Sequence, residues 1–399
     1  MRALIIGGGI IGASCAALLA ERGADVRVVD SGAPRFGTSL RNAGHIVVSH
    51  SIPFAAPGMV RAGIRSLLTS DGAFALSSRP GRGTAPWLLG FARKCTPANV
   101  EALQPGLDLL LHRSAQLIGA DTEIDCTKQG LWQVFTSSGD RATDEIERLR
   151  VHGVQVREVP LEELREEPGL TQRAVAAIEL VEDFGVDPEQ LWLRMRARSQ
   201  AHGATWEDGV ELDLQDQDAD VVVVAAGAWS PATVRSLGVD LPIRAAKGYS
   251  VSIPGVEHMP TRPMLLMDQR TALNPVGDRL RLSARYEITG PDDRAIVAHR
   301  IAGLIERARG VVDLPRDVAD VQPWTGVRPA SIDGAPYIGF LPRQGSRSPR
   351  SSPPVLLATG HGMIGTALAA GTADLVTRLA FGDDVDEREA RLSPARLLA

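Results

Sequence analysis

The sequence predicts an α/β protein with a Rossmann-type nucleotide-binding domain and an inserted substrate domain of α+β type, built on an antiparallel sheet. A βαβ pattern with spaced glycines occupies residues 4–30, and two further apolar strand patterns begin near residues 221 and 355. Alternating strand patterns lie between them. A chain of 399 residues also exceeds one ordinary core, so two domains are expected.

The first pattern reads as a β-branched strand, a glycine turn, a small-residue helix ending at Gly23, and a second strand ending in Asp30. A secretory signal or a membrane span requires an unbroken apolar stretch, but glycines interrupt this one and Glu21 and Arg22 close it. The segment therefore predicts one βαβ unit.

The glycines are spaced as Gly7-x-Gly9-x-x-Gly12, and Asp30 follows at the end of the second strand. Gly7 makes the tight turn, Gly9 lets the backbone approach a pyrophosphate, and Gly12 lets the helix pack closely on the strand. The exposed N–H groups at the helix start, Ile10–Ile11, favour an anion. Asp30 would accept hydrogen bonds from a ribose. A dinucleotide site is predicted; a purely structural glycine turn is the alternative.

The other strand patterns assign distant segments to one sheet. Residues 220–230 (DVVVVAAGAWS) and 355–365 (VLLATGHGMIG) are continuous apolar runs that end in glycine turns, as buried parallel strands do. We expect residues 1–86, 175–243 and 322–399 to form the nucleotide-binding domain. The remaining 87–174 and 244–321 would form the substrate domain, with a helical region over about 87–168 and a β-rich region over about 247–321. A surface loop is expected at 343–354.

Composition restricts the partners and the compartment. The net charge of −5 has both signs scattered, with no basic stripe for nucleic acid. Cys15, Cys95 and Cys126 lie far apart without metal-ligand spacing, which indicates a reducing cytoplasm and no metal site. Part of residues 59–79 could lie on a membrane surface, which leaves a location peripheral to the inner membrane open, although a surface helix and loop is favoured.

Four blocks together resemble a known family. Residues 37–58 (GTSLRNAGHIVVSHSIPFAAPG), 247–253 (KGYSVSI), 324–339 (WTGVRPASIDGAPYIG) and 359–365 (TGHGMIG) occur in this order. They resemble the FAD-dependent D-amino acid dehydrogenase and oxidase family, which includes the dehydrogenase small subunit, glycine oxidase, sarcosine oxidase and D-amino acid oxidase. The wording of residues 49–59 resembles the D-hydroxyproline dehydrogenase branch.

The resemblance implies FAD as the cofactor. The 37–58 block would lie along the pyrophosphate and flavin ring, and the helix start after the last strand would face the pyrimidine edge, with the N–H groups of Gly362–Ile364 more important than the His361 ring. For Ser39 alone, a helix cap without ligand contact is the alternative. The implied cofactor residues beyond the first turn are Ser39, Asn42, Ala43, Gly44, Gly227, Trp229, Gly360, His361, Gly362, Met363 and Ile364.

The resemblance also implies oxidation of an amino acid by hydride transfer from Cα to flavin N5, which leaves an imine. Arg328 matches the arginine that holds the substrate carboxylate, and a guanidinium fork suits that task. Tyr249, His45 and His50 are further candidates to line the pocket, each with a packing role as the alternative. No general base is nominated. Gln269, Arg270 and Tyr286 are other polar candidates.

Two departures from the family pattern fall where the substrate would sit. Residues 283–287 (SARYE) replace a glycine-rich strand, and a tyrosine often found near residues 269–270 is missing. A D-amino acid or a cyclic imino acid such as hydroxyproline is expected as substrate, with oxygen or a quinone or other carrier as electron acceptor. A sarcosine-like N-dealkylating oxidase, a biosynthetic amine desaturase, and a structural FAD-binding subunit of a homo- or hetero-oligomer remain alternatives.

Overall fold

The structure of the chain is a computed structural model. The structure describes residues 1–32, 37–67, 72–77, 80–81, 83–127, 130–137, 140–210, 212, 214, 217–317, 320–342 and 353–397. Residues 343–352 of the expected surface loop lie outside this range.

The strands are β1 (Arg2–Ile6), β2 (Asp25–Asp30), β3 (His45–Ile46), β4 (Phe74–Leu76), β5 (Cys126–Thr127), β6 (Leu131–Phe135), β7 (Val156–Val159), β8 (Ala176–Leu180), β9 (Phe184–Val186), β10 (Thr205–Asp208), β11 (Val221–Val224), β12 (Ile243–Pro254), β13 (Met264–Leu266), β14 (Thr271–Val276), β15 (Arg279–Thr289), β16 (Gln322–Ser331), β17 (Tyr337–Phe340) and β18 (Val355–Thr359). The helices are α1 (Ile10–Glu21), α2 (Met59–Leu67), α3 (Thr84–Lys94), α4 (Pro97–Ala120), α5 (Asp140–Val151), α6 (Leu161–Glu166), α7 (Pro188–Ala201), α8 (Ser230–Thr233), α9 (Ala298–Arg309), α10 (Gly365–Phe381) and α11 (Glu387–Ala390).

The first sheet has the order β10-β2-β1-β11-β18-β17 and is assembled from distant segments of the chain, as the strand patterns predict. Its strands run parallel except β17, which pairs antiparallel with β18. Ile5 lies between Val28 and Val223 in the register, and all three are buried. The predicted α/β fold with a Rossmann-type sheet is confirmed.

The second sheet has the order β16-β12-β15-β14-β13-β6-β8-β7, and β4 pairs with β15 beside this path. Most pairs are antiparallel, but β13 with β6 and β15 with β4 are parallel. A hydrophobic cluster that includes Tyr249, Leu282 and Ile305 fills the side on which α9 packs. Strand β16 contributes residues 327–329 to the wall of a cavity beside the first sheet.

The structure corrects the expected domain boundaries. Strands β4, β8 and β16 were assigned to the nucleotide-binding domain, yet all three pair within the second sheet. Conversely, α4 lies in a segment expected in the substrate domain, but it packs against α10, the helix that follows β18 of the first sheet. The reason is physical: β16 pairs with β12 over ten residues, and this long-range pairing leaves no local signal.

The segment 87–168 is also less helical than expected, since it contains β5, β6 and β7. Within the part of the chain described, we find no helix with both the length and the apolar character needed to cross a membrane.

Candidate functional site

A cavity of about 370 Å³ lies at the carboxyl ends of β1, β11 and β18, and β16 forms its far wall. Ligands of open α/β sheets bind at this edge. The predicted residues that line the cavity are Gly7, Gly9, Ile10, Ile11, Asp30, Ser39, Asn42, Gly227, Trp229, Arg328, His361, Gly362 and Met363. The predicted residues that do not line it are Gly12, Ala43, Gly44, Tyr249, His45, His50, Gly360 and Ile364.

The turn between β1 and α1 is shaped by the absence of side chains. Gly7 has φ +107° and its missing Cβ would lie 2.5 Å from the carbonyl oxygen of Ala225. A Cβ on Gly12 would overlap the carbonyl oxygen of Gly7. Gly9 caps α1 without a side chain, so the helix's positive end is open to an anion.

Ser39 bonds to the start of α1 and also lies at the cavity wall. Its Oγ accepts a hydrogen bond from the N–H of Ile10 at 3.0 Å, and the residue lines the cavity as well. Asp30 is buried, and its two carboxylate oxygens accept hydrogen bonds from the N–H groups of Gly8 (2.6 Å) and Gly32 (2.8 Å). These amides hold the carboxylate at the cavity edge, where its charge favours hydroxyl donors over a phosphate.

The loop that carries Asn42 is braced against α10. The Asn42 amide nitrogen donates to Thr366 Oγ1 at 3.0 Å, and its amide oxygen accepts from the N–H of Gly44 at 2.8 Å. Gly44 has φ +72°, and a Cβ there would overlap the carbonyl oxygen of Val186 on β9. The structure therefore explains Gly44 by packing and Asn42 by bracing the loop, with only Asn42 reaching the cavity.

The turn after β18 differs from what the resemblance implies. The N–H of Gly362 donates to the carbonyl of Pro329 at 2.9 Å, and that of Ile364 donates to the carbonyl of His361 at 3.2 Å. Of the three amides expected to face the flavin, Met363 alone finds no acceptor among the described residues. The start of α10 has no side-chain cap at Ile364 either, so the helix end itself remains open to an anionic edge.

The His361 ring is directed into α10. Its Nε2 lies 3.0 Å from Thr372 Oγ1, and burial lowers the pKa of His361 to about 3. The ring is therefore neutral at pH 7 and a poor base. On the other side of the cavity, the Trp229 ring nitrogen donates to Asp292 at 3.4 Å.

The Arg328 side chain on β16 is positioned by a hydrogen bond to a backbone carbonyl and by the space that Gly248 leaves. Its Nη1 donates to the carbonyl oxygen of Arg285 at 3.0 Å. That carbonyl belongs to a β-bulge in which Arg285 and Tyr286 oppose the single residue Gly248 of β12, and Arg285 has φ +77°. A Cβ on Gly248 would overlap the guanidinium, so this glycine makes the space for it.

In the part of the chain that the structure describes, the remaining N–H groups of Arg328 bond to no carboxylate. Among the described residues no carboxylate pairs with it, and burial lowers its pKa while the group stays cationic. The Tyr286 ring lies 5.9 Å from its guanidinium carbon and joins an aromatic cluster with Phe54 and Phe74. A half-buried cation at a cavity wall, without a carboxylate partner among the described residues, favours an anionic ligand.

Three predicted pocket residues lie elsewhere. Tyr249 follows Gly248 and so points to the opposite side of β12, where its hydroxyl accepts a hydrogen bond from Arg300 at 3.0 Å. The Nε2 of His45 lies 2.8 Å from the carbonyl of Leu273, and the Nδ1 of His50 lies 3.0 Å from Ser49 Oγ. Burial lowers the pKa of both histidines to about 4. The three side chains therefore bond to neighbouring protein groups outside the cavity.

Sequence reasoning missed Gly248, although it sits in the block that supplied Tyr249. A glycine inside a strand is the signal for a bulge or a close approach, and here it marks both. The bulge itself, at Arg285 and Tyr286, falls in the stretch where the sequence departs from the family pattern.

A family model described as FAD dependent oxidoreductase matches residues 2–379. The chain belongs to this family. FAD is accordingly its cofactor. The start of α1 with its side-chain-free N-cap Gly9, the start of α10, the glycine turn and Asp30 fit it at the cavity. The expected enzyme class, an FAD-dependent oxidoreductase, is confirmed.

Two relatives match this chain over essentially its whole length. A D-amino acid dehydrogenase of Cereibacter sphaeroides is 30% identical and covers 100% of this chain and 96% of its own. A D-amino acid dehydrogenase of Rhizobium rhizogenes is 28% identical, with coverage of 99% and 100%.

Solved structures share the fold at lower identity. Glycine oxidase from Geobacillus kaustophilus gives a TM-score of 0.70 at 22% identity and covers 98% of each chain. Iminodiacetate oxidase from Chelativorans gives 0.71 at 21% identity, with coverage of 98% of this chain and 99% of that one. These likenesses concern the fold alone.

Proposed function

We propose that this oxidoreductase oxidises the Cα–N bond of an amino acid to an imine. The observation that carries the proposal is Arg328, a half-buried cation without a carboxylate partner in the described part of the chain, in the same cavity as the Gly7–Gly12 turn. One cavity thus combines the nucleotide-binding turn with a binding group for a carboxylate. The D-amino acid dehydrogenases at 28% and 30% identity support the same class of substrate.

FAD would be held by the cavity-lining residues. The start of α1 would take the pyrophosphate, and Asp30 would accept hydrogen bonds from the ribose. Met363 and the open start of α10 would lie at the edge of the ring that gains negative charge on reduction. When bound, FAD supplies the two-electron acceptor that takes the Cα hydrogen as a hydride.

Arg328 binds and orients the substrate. Its planar fork offers two parallel N–H donors to a planar carboxylate, while the Arg285 carbonyl fixes the fork through Nη1. A carboxylate fixed in this way determines which face of Cα is presented for hydride removal. Arg328 therefore lowers the entropy cost of reaching the reactive geometry.

The proton balance requires no protein base. The substrate ammonium loses one proton to water, the Cα–H bond breaks with its electron pair leaving as hydride, and the nitrogen lone pair forms the C=N bond. His361 borders the cavity, but its pKa of about 3 makes it a weak acceptor. We expect the rate to rise with pH as the free amine of the substrate becomes populated.

The finer substrate class that we propose is a D-amino acid or a cyclic imino acid such as hydroxyproline. The names of the D-amino acid dehydrogenase relatives support the D configuration. The remodelled strand at Arg285 and Tyr286 places an aromatic ring beside the carboxylate-binding group, which suits a substrate with apolar ring atoms.

Anaerobic titration of the holoenzyme tests the proposal. D-, L- and N-methyl amino acids and the hydroxyproline isomers are added in turn, and the yellow absorbance of the flavin is followed. We expect one group to bleach the flavin, with D-amino acids or cyclic imino acids effective at the lowest concentration. A flavin that dithionite reduces but no amino acid reduces contradicts the proposal. Reoxidation by air or by a soluble quinone then identifies the class of acceptor.

A further inference from the structure

Helix α2 presents an apolar stripe to solvent. Met59, Gly63 and Ser66 face the protein, and Ser66 is the residue of α2 that is fully buried, with its Oγ bonded to the carbonyl of Phe74 at 3.0 Å. The next stripe around the helix is apolar but exposed: Val60, Ile64 and Leu67, with Ile64 58% exposed. Soluble surfaces seldom carry such a stripe without a partner.

Helix α3 extends this surface. Leu89 is 54% exposed, and Arg93 follows it one turn later on the same side of the helix. Between α2, β4 and α3 lies an apolar groove of about 110 Å³. Tyr286 forms part of its lining, and the same ring lies 5.9 Å from the Arg328 guanidinium carbon. We call α2, β4 and α3 the basic apolar face.

The charge of this region opposes the charge of the molecule. Residues 31–100 contain eight Arg or Lys residues and one acidic residue, Asp71, whereas the whole chain carries a net charge of −5. On α2 and α3 the cations are Arg61, Arg65, Arg93 and Lys94, all exposed, and the two helices contain no acidic residue. None of these four cations pairs with a carboxylate among the residues that the structure describes.

We infer that the basic apolar face is a docking surface for an anionic lipid bilayer. Leucine and isoleucine side chains in one stripe, flanked by arginines on an amphipathic helix, match the acyl boundary and the phosphate headgroups of a bilayer respectively. A nucleic acid would bind the cations but would leave the exposed apolar stripe in water, so it accounts for only half of this surface. The docked orientation turns the apolar groove toward the lipid. The inference is independent of the substrate that the enzyme oxidises.

Sedimentation of the holoenzyme with vesicles tests it in the absence of substrate. Vesicles of phosphatidylglycerol mixed with phosphatidylcholine are compared with vesicles of phosphatidylcholine alone. We expect cosedimentation with the anionic vesicles, at least tenfold weaker binding to the neutral ones, and loss of binding as salt is raised.

Two α2 variants and a matched control locate the surface. Arg61→Glu with Arg65→Glu, and separately Ile64→Ser with Leu67→Ser, should each weaken binding by roughly tenfold or more. The control, Arg150→Glu with Val151→Ser at the exposed end of α5, combines one charge reversal with one apolar-to-serine change and should leave binding within twofold. Bound flavin absorbance confirms that each variant is folded. No vesicle binding, equal binding to neutral vesicles, α2 variants that bind like wild type, or a lipid-free dimer that depends on α2 overturns the proposal.

Discussion

At the β1–α1 end of the cavity the ligand-facing groups are backbone amides, whereas at the β16 end the ligand-facing group is the side chain of Arg328. The first end is built by one short stretch of sequence around Gly7–Gly12. The second is built by three strands, β12, β15 and β16, whose contributing residues are up to 80 positions apart. Each end depends on a glycine that lacks a Cβ, Gly12 at the first and Gly248 at the second, but the space left by each serves a different purpose.

At Gly12 the missing Cβ lets a helix approach a strand, and at Gly248 it lets a guanidinium fit beside a strand. The first glycine should therefore control FAD binding and folding, and the second should control substrate binding alone. Substitution of each glycine separates these two effects.

The largest effect is expected for Gly12→Ala. The new Cβ overlaps the backbone carbonyl of Gly7, and backbone cannot move aside as a flexible side chain can. We expect a loss of about 3 kcal/mol in the free energy of unfolding and little bound FAD, measured by denaturant unfolding and by the flavin-to-protein absorbance ratio. Gly119→Ala in α4, where a Cβ meets nothing within 4 Å, should keep both stability and FAD. A Gly12→Ala protein with full FAD content would contradict the packing argument.

A smaller and more selective effect is expected for Gly248→Ala. The methyl group displaces the Arg328 guanidinium from its place beside the Arg285 carbonyl, so one charge-assisted hydrogen bond and the fork's orientation are lost. We expect kcat/KM to fall roughly 100-fold, about 3 kcal/mol, with a raised KM and normal FAD content. Steady-state kinetics on the amino acid that bleaches the flavin provide the measurement. Gly290→Ala, which has open space around its Cβ, is the control.

The pH dependence of stability should report the buried neutral ring of His361, which lies between β18 and α10 and borders the cavity. Burial lowers the pKa of His361 to about 3. Below pH 6.5 the imidazole is protonated in the unfolded protein but stays neutral in the folded one. The free energy of unfolding therefore decreases as pH falls. Relative to His361→Asn, the wild-type free energy of unfolding should fall by roughly 3 kcal/mol between pH 7 and pH 4. Parallel pH curves would show that His361 is not the responsible group; exposed His299→Asn is the control.

These differences explain what the sequence could predict. The β1–α1 turn, Asp30 and the later apolar strands are local patterns, and the structure assembles them as expected. Arg328, which the resemblance implies as the carboxylate-binding residue, lines the same cavity. The bulge at Arg285, the space at Gly248 and the placement of β16 depend on pairing between distant strands, which no local pattern encodes.

Direction was harder to predict than position. Tyr249 lies one residue from the site-facing Gly248, and strand alternation turns its ring into the core. His45 and His50 follow the cavity loop in sequence, but their rings turn toward β14 and toward Ser49. The amides of Gly362 and Ile364 were expected to face the cofactor, yet the turn after β18 uses them for its own hydrogen bonds.

The most direct test of the central claim, that Arg328 binds the substrate carboxylate, is anaerobic flavin reduction by an amino acid and by its carboxamide. The wild-type enzyme should be reduced by the amino acid at concentrations at least 100-fold lower than by the carboxamide, since the carboxamide lacks the charge that Arg328 pairs with. Arg328→Gln should keep its FAD and lose that discrimination. An Arg328→Gln enzyme that still prefers the amino acid 100-fold would place the carboxylate elsewhere and contradict the account.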